Sequence, residues 1–234
     1  MIVRDNSDYA GTMDVILAMD LKGGLVVHGQ KGERESYRPL TWGLSDSAEP
    51  RKYLETLGPR FLYIADLDRI TRKGSHNAAI SLCCQMVERC YVDRGIRSPA
   101  DCLPGVTNVV GTETAGKDLS VYRGGFLSLD IKDGVVIPGG QDPLQILEEA
   151  EDLPFDGCLV LNLASVGTGG GLPPVSWLKG LRERYGKTLL FGGGVSGGGD
   201  MDTLRDTGFD GAVIATAVHR GKIPARVLRE GTWS

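Results

Sequence analysis

The sequence repeats itself between its two halves, and no other feature constrains the fold as tightly. Met19-Asp20-Leu21-Lys22-Gly23-Gly24-Leu25-Val26-Val27 lies over Leu129-Asp130-Ile131-Lys132-Asp133-Gly134-Val135-Val136-Ile137. The aspartate, the lysine and the second glycine coincide between apolar flanks. A looser pairing sets Gly95 through Asp101 over Gly194 through Asp200. After it, Val109-Val110-Gly111-Thr112 matches Val213-Ile214-Ala215-Thr216.

Eight short apolar runs read as strands: Val15–Met19, Phe61–Ala65, Cys90–Val92, Asn108–Val110, Phe126–Leu129, Cys158–Leu161, Thr188–Phe191 and Ala212–Ala215. Apolar residues at consecutive positions suit parallel strands covered on both faces. Glycines cluster where these runs end, at the turns that need them. Between the runs lie helical stretches: Ser47–Leu57, Asn77–Glu88, Asp142–Glu151, Pro174–Arg184 and Ile223–Glu230. Pro99–Pro104 and Ala115–Tyr122 are shorter ones, and Gly197-Gly198-Gly199 reads as a flexible run. Strand alternating with helix makes a parallel α/β fold, either a closed barrel or a doubly wound sheet. An open sheet has no reason to repeat in halves, whereas a barrel built from two half-barrels does. The expectation is a (β/α)8 TIM barrel with a two-fold half-barrel repeat. It forms one domain over residues 13–234, behind an N-terminal extension over residues 1–12.

A chain of 234 residues, 41% hydrophobic, can bury a full core without disulfide or metal staples. Its net charge of -4 argues against nucleic-acid and anionic-membrane partners, since both reward a basic surface. No apolar run reaches the roughly 18–20 residues of a membrane span, and the first residues hold no signal-peptide core. A cytoplasmic protein is expected. Cys83, Cys84, Cys90, Cys102 and Cys158 show no zinc-type spacing and are expected to be buried free thiols.

Barrel enzymes work at the C-terminal ends of their strands. Asp20 and Asp130 end strands one and five, on opposite sides of the mouth, where two carboxylates can divide acid and base work. Lys22 stands beside the first of them and is expected to bind the substrate. Gly192, Gly193 and Gly194, followed by Val195-Ser196, end strand seven, where backbone N–H groups can approach phosphate oxygens. Ala215 and Thr216 at strand eight complete that cradle. By the half-barrel symmetry, Gly95 and Arg97 with Gly111 and Thr112 form a second anion site, where Arg97 grips a phosphate bidentately. Gly167 and Thr168 lie in a glycine-rich loop able to fold over a ligand. The charged segment from His28 to Leu40 reads as a lid. Asp66 and Asp68 are placed for sugar hydroxyls or for orienting a neighbour. His28 is the one histidine expected near the site, so neither a metal nor another cofactor is expected.

These residues resemble the histidine-biosynthesis barrels of the HisA/HisF family, from Met13 onward. The resemblance rests on Asp20-Leu-Lys-Gly-Gly, Gly95-Ile-Arg-Ser, Val110-Gly-Thr, Leu129-Asp130, Gly167-Thr168, Gly192-Gly-Gly-Val-Ser and Ala215-Thr-Ala. It implies a substrate carrying two phosphates, one per half-barrel, with Asp20 and Asp130 as the catalytic aspartates. Two departures stand out. Val166 occupies the position of the family isomerase's strand-six aspartate, and Leu161 that of its strand-six threonine. The chain is therefore expected to be a divergent member, an isomerase acting on a phosphorylated sugar or phosphoribosyl metabolite, outside the histidine-pathway reaction. The alternatives are a catalytically silent phosphometabolite-binding protein, or a cyclase- or lyase-type relative, which in the cyclase case needs a glutaminase partner.

Overall fold

The computed structural model describes residues 11–234, so the extension expected over residues 1–12 lies outside the described residues except for Gly11 and Thr12. Eight strands form the barrel: β1 (Met13–Lys22), β2 (Phe61–Asp66), β3 (Arg89–Asp93), β4 (Thr107–Gly111), β5 (Phe126–Lys132), β6 (Gly157–Asn162), β7 (Thr188–Gly192) and β8 (Gly211–Ile214). Each pairs in parallel with the next, and β8 closes on β1 with Val15 opposite Ala212.

The strands are apolar on consecutive positions because they serve two cores. Successive side chains in a strand point to opposite faces. Val15, Leu17, Met19 and Leu21 of β1 pack outward with Leu62 and Ile64 of β2 and Val160 of β6, against the helices. Ile16 packs inward with Phe61, Tyr63 and Ala65 of β2, Tyr91 of β3, Phe126 of β5 and Val213 of β8, filling the barrel interior. A Leu or Phe buried this fully is worth roughly 1.5–3 kcal/mol. The inward row of β1 ends in Asp20, and that of β5 in Asp130.

The two-fold repeat is visible in the backbone. After β1, Leu25–His28 folds back antiparallel, with Lys22 opposite Leu25 across a Gly23-Gly24 turn at φ 59 and 80. After β5, Val135–Val136 does the same, with Lys132 opposite Val135 across Asp133-Gly134 at φ 54 and 82. Both turns have positive φ at both central positions, as the type I′ hairpin requires, which accounts for the shared second glycine.

Helices α1 (Pro50–Leu57), α2 (Leu67–Ile70), α3 (Asn77–Cys84), α4 (Pro143–Ala150), α5 (Val175–Arg184), α6 (Gly198–Asp206), α7 (Thr216–His219) and α8 (Arg226–Glu230) follow the strands or loops. Glu49 caps α1 by accepting from Arg51 and Lys52 N–H, and Asp142 caps α4 by accepting from Leu144 N–H, each ahead of proline at the first helical position. Several expectations need correction. Gly197-Gly198-Gly199 is not a flexible run but the start of α6, whose buried Met201 and Leu204 dock the helix despite its glycines. Pro99–Pro104 and Ala115–Tyr122 hold only single 3-10 turns, Pro99–Asp101 and Leu119–Val121. The cysteines are not all buried thiols. The short α3–β3 turn brings Cys84 and Cys90 within 5.3 Å between Cα atoms and they form a disulfide, while Cys102 is exposed. Cys83 and Cys158 are buried and free. No described helix is long and apolar enough to cross a membrane.

Candidate active site

A cavity of about 110 Å³ occupies the C-terminal mouth of the barrel. Three carboxylates line it: Asp20, Asp93 and Asp130. Register explains two of them, since Asp20 lies opposite Ala65 of β2 and Ala65 opposite Asp93 of β3. Asp93 and Asp130 approach each other over Gly111. A Cβ at Gly111 would stand 2.8 Å from Asp130 Oδ2 and 3.6 Å from Asp93 Oδ2, so glycine is what lets the two converge.

Burial pushes all three carboxyls up, because a charge held away from water is disfavoured. Asp20 is raised to about 6 by burial and by the Asp93 charge, with Arg34 pulling the other way. Asp93 and Asp130 are both raised, first by burial. Asp130 is pushed further by Asp93 and Glu113, against the Glu113 N–H and Ser128 hydroxyl, and Asp93 by Glu113, against the Gly95 N–H, Arg34 and the Tyr63 hydroxyl. The Asp93 charge beside it makes Asp130 the member of the pair pushed higher. Sequence reasoning missed Asp93, although it sits two residues after the inward Tyr91, on the same alternation that places Asp20.

The lining contributed after β7 and β8 holds no carboxylate. Gly193 and Gly194, both at φ 92, line the cavity with Val195, Ala215, Thr216 and His28. A side chain at Gly193 would collide with the Asn162 carbonyl, and one at Gly194 would come 2.6 Å from the Gly171 carbonyl. Gly192 is fully buried, with Leu161 3.0 Å from where its Cβ would be. His28 Nε2 lies 3.3 Å from Thr216 Oγ1.

His219, expected away from the site, also lines the cavity. Its Nδ1 accepts from Leu44 N–H at 3.3 Å and its Nε2 meets Tyr53 Oη at 2.8 Å. Since Nδ1 is an acceptor, the neutral ring carries its proton on Nε2 and donates it to Tyr53. Burial, then His28, lowers the His219 pKa to about 4, so the ring is neutral at physiological pH.

The lid is docked. Lys31 N–H donates to the Val166 carbonyl at 2.8 Å, Lys22 Nζ to the Arg34 carbonyl at 2.7 Å, and Arg34 pairs with Glu113 at 2.6 Å. Gly29 packs against Gly167, leaving no room for a side chain at either. Val166 closes over Asp20: a Cβ on Gly29 would lie 2.7 Å from Val166 Cγ1 and 2.9 Å from Asp20 Oδ2. The valine at the strand-six position thus helps keep water from the Asp20 carboxylate.

Several residues assigned to ligand binding have other work. Asp66 belongs to the outward row of β2 and is fully buried, accepting from Arg69 N–H, His76 N–H and His76 Nδ1. It caps α2 and holds His76 rather than meeting sugar hydroxyls. Asp68 accepts from Gly23 N–H at 2.8 Å, at the base of the lid hairpin. Lys22 supports the lid backbone. Thr168 Oγ1 donates to the Ser165 carbonyl and accepts from Gly170 N–H, so its hydroxyl orders its own loop, while Gly167 does line the cavity.

The second anion site is not assembled as expected. Gly95 N–H donates to Asp93 Oδ1 at 3.0 Å, and Thr112 N–H to the Ser128 carbonyl at 2.9 Å. Arg97 spends its guanidinium on the carbonyls of Gly95 and Ile70, both at 2.8 Å. Thr112 Oγ1 accepts from Asp130 N–H at 3.1 Å, and Gly111 serves the two carboxylates. The donors expected to face a phosphate instead shape the loop. Among the described residues no three His, Cys, Asp or Glu side chains are grouped to hold a metal ion.

Comparisons with known proteins agree with this architecture. The model of the family described as histidine biosynthesis protein matches residues 14–224. An uncharacterized protein of Methanocaldococcus jannaschii is 30% identical over 221 residues, 89% of this chain and 94% of its own length. The 1-(5-phosphoribosyl)-5-((5-phosphoribosylamino)methylideneamino)imidazole-4-carboxamide isomerase of Methanosarcina barkeri is 28% identical over 94% of this chain and 98% of its own. The protein of the same name from Halobacterium salinarum is 30% identical over 88% and 92%.

Proposed function

The chain belongs to the histidine biosynthesis protein family, and we propose that it is an isomerase of a phosphorylated sugar or phosphoribosyl metabolite, with Asp20 as general base and Asp130 as general acid. The observation that carries this reading is the lining of the closed cavity. Three carboxyls with raised proton affinity, on β1, β3 and β5, and the glycine turn after β7, suited to a phosphate, line the same space. At pH 7 a carboxyl raised to about 6 is mostly ionised and poised to accept a proton. Asp130 retains its proton longer, for the reasons given above, and can donate it.

In such a reaction a lone pair of the substituent on the anomeric carbon forms a double bond to it as the ring carbon–oxygen bond breaks, and Asp130 protonates the departing ring oxygen. Asp20 takes the proton from the neighbouring carbon and the double bond shifts by one position. Asp20 then gives its proton to the former anomeric carbon, and the hydroxyl on the neighbouring carbon returns one to Asp130 as it becomes a carbonyl, which leaves an isomer and both carboxyl groups as they began. Gly193, Gly194, Ala215 and Thr216 hold the phosphate, and the docked lid excludes water.

We further propose that the reaction differs from the one in the isomerases' name. Val166 and Leu161 at strand six support this, as does the carboxylate cluster around Asp93. The experiment is a turnover screen of phosphorylated sugars and ribonucleotide intermediates with wild type and Asp20→Asn. The reading expects turnover that falls about 10²–10⁴-fold in the variant. Binding without any Asp20-dependent turnover would instead establish a silent binding protein. Expression in a strain lacking the histidine-pathway isomerase should give no growth on histidine-free medium, and full rescue would refute the altered reaction.

A further inference from the structure

The two half-barrels hold equivalent loops, so each serves as a control for the other. Gly95 through Asp101 matches Gly194 through Asp200, and the equivalence extends to local bonding. Asp101 Oδ2 accepts from Arg97 N–H at 3.0 Å, and Asp200 Oδ2 from Ser196 N–H at 2.7 Å, at matched positions. Against this shared framework, three differences fall on one side. Asp93 stands where β7 has Gly192, Arg94 where the later loop has Gly193, and Glu113 where α7 has Ala217.

Each difference removes an anion's footing. The Asp93 carboxylate takes the Gly95 N–H, whose counterpart at Gly194 has no side chain at Gly192 to take it. Arg94 turns away from the mouth to Asn77 Oδ1 at 2.8 Å and the Asp101 carbonyl at 3.2 Å. Glu113 places a carboxylate at the end of β4, and its N–H goes to Asp130 Oδ2 at 3.1 Å. A phosphate dianion there would face the Asp93 carboxylate that already holds the Gly95 N–H, with Glu113 nearby and Arg34 already paired to it. Like charges at such range disfavour one another strongly in a site shielded from water.

We infer that this protein acts on a substrate bearing a single phosphate, held by the β7 and β8 loops, and that Asp93 has converted the other half-site into part of the proton-transfer machinery. The inference rests on the proposed function for the phosphate end and adds the substrate class. It also orients the ligand: the phosphate lies against Gly193, Gly194 and Thr216, and the unphosphorylated reacting end lies among Asp20, Asp93 and Asp130. Substrates of this class are small monophosphates, such as pentose phosphates.

The test combines a phosphate-soaked crystal with calorimetric titration of ribose 5-phosphate and of a probe carrying a phosphoribosyl group at each end. The expected result is one phosphate, at β7 and β8, with one equivalent of ribose 5-phosphate bound. The two-phosphate probe should bind no tighter than ribose 5-phosphate to within about threefold, whereas a second charge-assisted grip would tighten it by tenfold or more. Asp93→Gly should admit a second phosphate beside Gly95. Two phosphates in the wild-type protein, or a tight two-phosphate probe weakened tenfold by Arg97→Ala, would overturn the inference and leave the proposed function standing. No phosphate at β7 and β8 would overturn both. The wild-type measurements decide the matter even where Asp93→Gly fails to fold.

Discussion

The Arg34 guanidinium meets the Glu113 carboxylate at 2.6 Å, tying the lid to the loop after β4 across the mouth of the barrel. Both side chains are mostly shielded, at 25% and 18% exposure, so the pair is screened less than a surface ion pair. Glu113 also donates its N–H to Asp130, and Arg34 favours the charged forms of Asp20 and Asp93. One ion pair therefore connects lid position to the charge state of the carboxylates.

Arg34→Gln should release the lid and raise the Asp20 pKa above about 6, because a charge that favoured the carboxylate is gone. Hydrogen exchange should accelerate at Lys31, whose N–H bonds to Val166, and the acid limb of the pH–rate profile should move to higher pH. Unchanged exchange at Lys31 would show that the ion pair does not hold the lid.

Asp20 should cost the fold stability at neutral pH. Its folded pKa, about 6, exceeds the ordinary aspartate value of 3.8, so between those values the folded protein binds more protons than the unfolded chain. Stability contributed by this group is thus greatest below about pH 4 and declines as pH rises through 6. Asp20→Asn should stabilise the protein at pH 7.5 by on the order of 1–3 kcal/mol, with the gain vanishing near pH 4. Urea denaturation at the two pH values measures it, and a loss of stability at pH 7.5 would contradict the buried-carboxylate account.

His219 pulls in the opposite direction. Its folded pKa of about 4 lies below the ordinary 6.5, so stability from the neutral ring is present above 6.5 and is lost as pH falls toward 4. Tyr53→Phe removes the acceptor of the His219 Nε2 proton in a buried setting and should cost about 1–3 kcal/mol at pH 7. Chemical denaturation tests this, and an unchanged midpoint would mean that the ring finds another partner.

Asp66→Ala separates a structural from a ligand-binding carboxylate. Three hydrogen bonds end on this side chain, and losing them should cost about 2–4 kcal/mol in thermal or urea unfolding. Ribose 5-phosphate affinity of the folded variant should match wild type. A tenfold weaker affinity at undiminished stability would return Asp66 to the binding site.

Much of this was legible in the residues. Eight apolar runs located the strands because two-sided burial leaves no polar alternation to confuse them. The Asp-x-Lys-x-Gly repeat marked two hairpins whose turns demand positive φ at both centres. What stayed hidden was facing. Asp66 and Asp20 both end a strand, yet one lies on the outward row and the other on the inward row. Asp93 faces the mouth only through the inward alternation of β3 after Tyr91, a facing that a short apolar run does not reveal. The Gly197-Gly198-Gly199 run misled because helix propensity was overridden by the tertiary docking of Met201 and Leu204. The Cys84–Cys90 contact depends on a turn whose length the pattern did not reveal.

The account depends most directly on the protonation of the carboxylates inside the mouth. Carbon-13 NMR of carboxyl-labelled aspartate, with the Asp20 signal assigned from Asp20→Asn, reads it without a known substrate. The prediction is an Asp20 midpoint near pH 6 that moves when ribose 5-phosphate is added. A midpoint at the ordinary value near 4, indifferent to ligand, would contradict it.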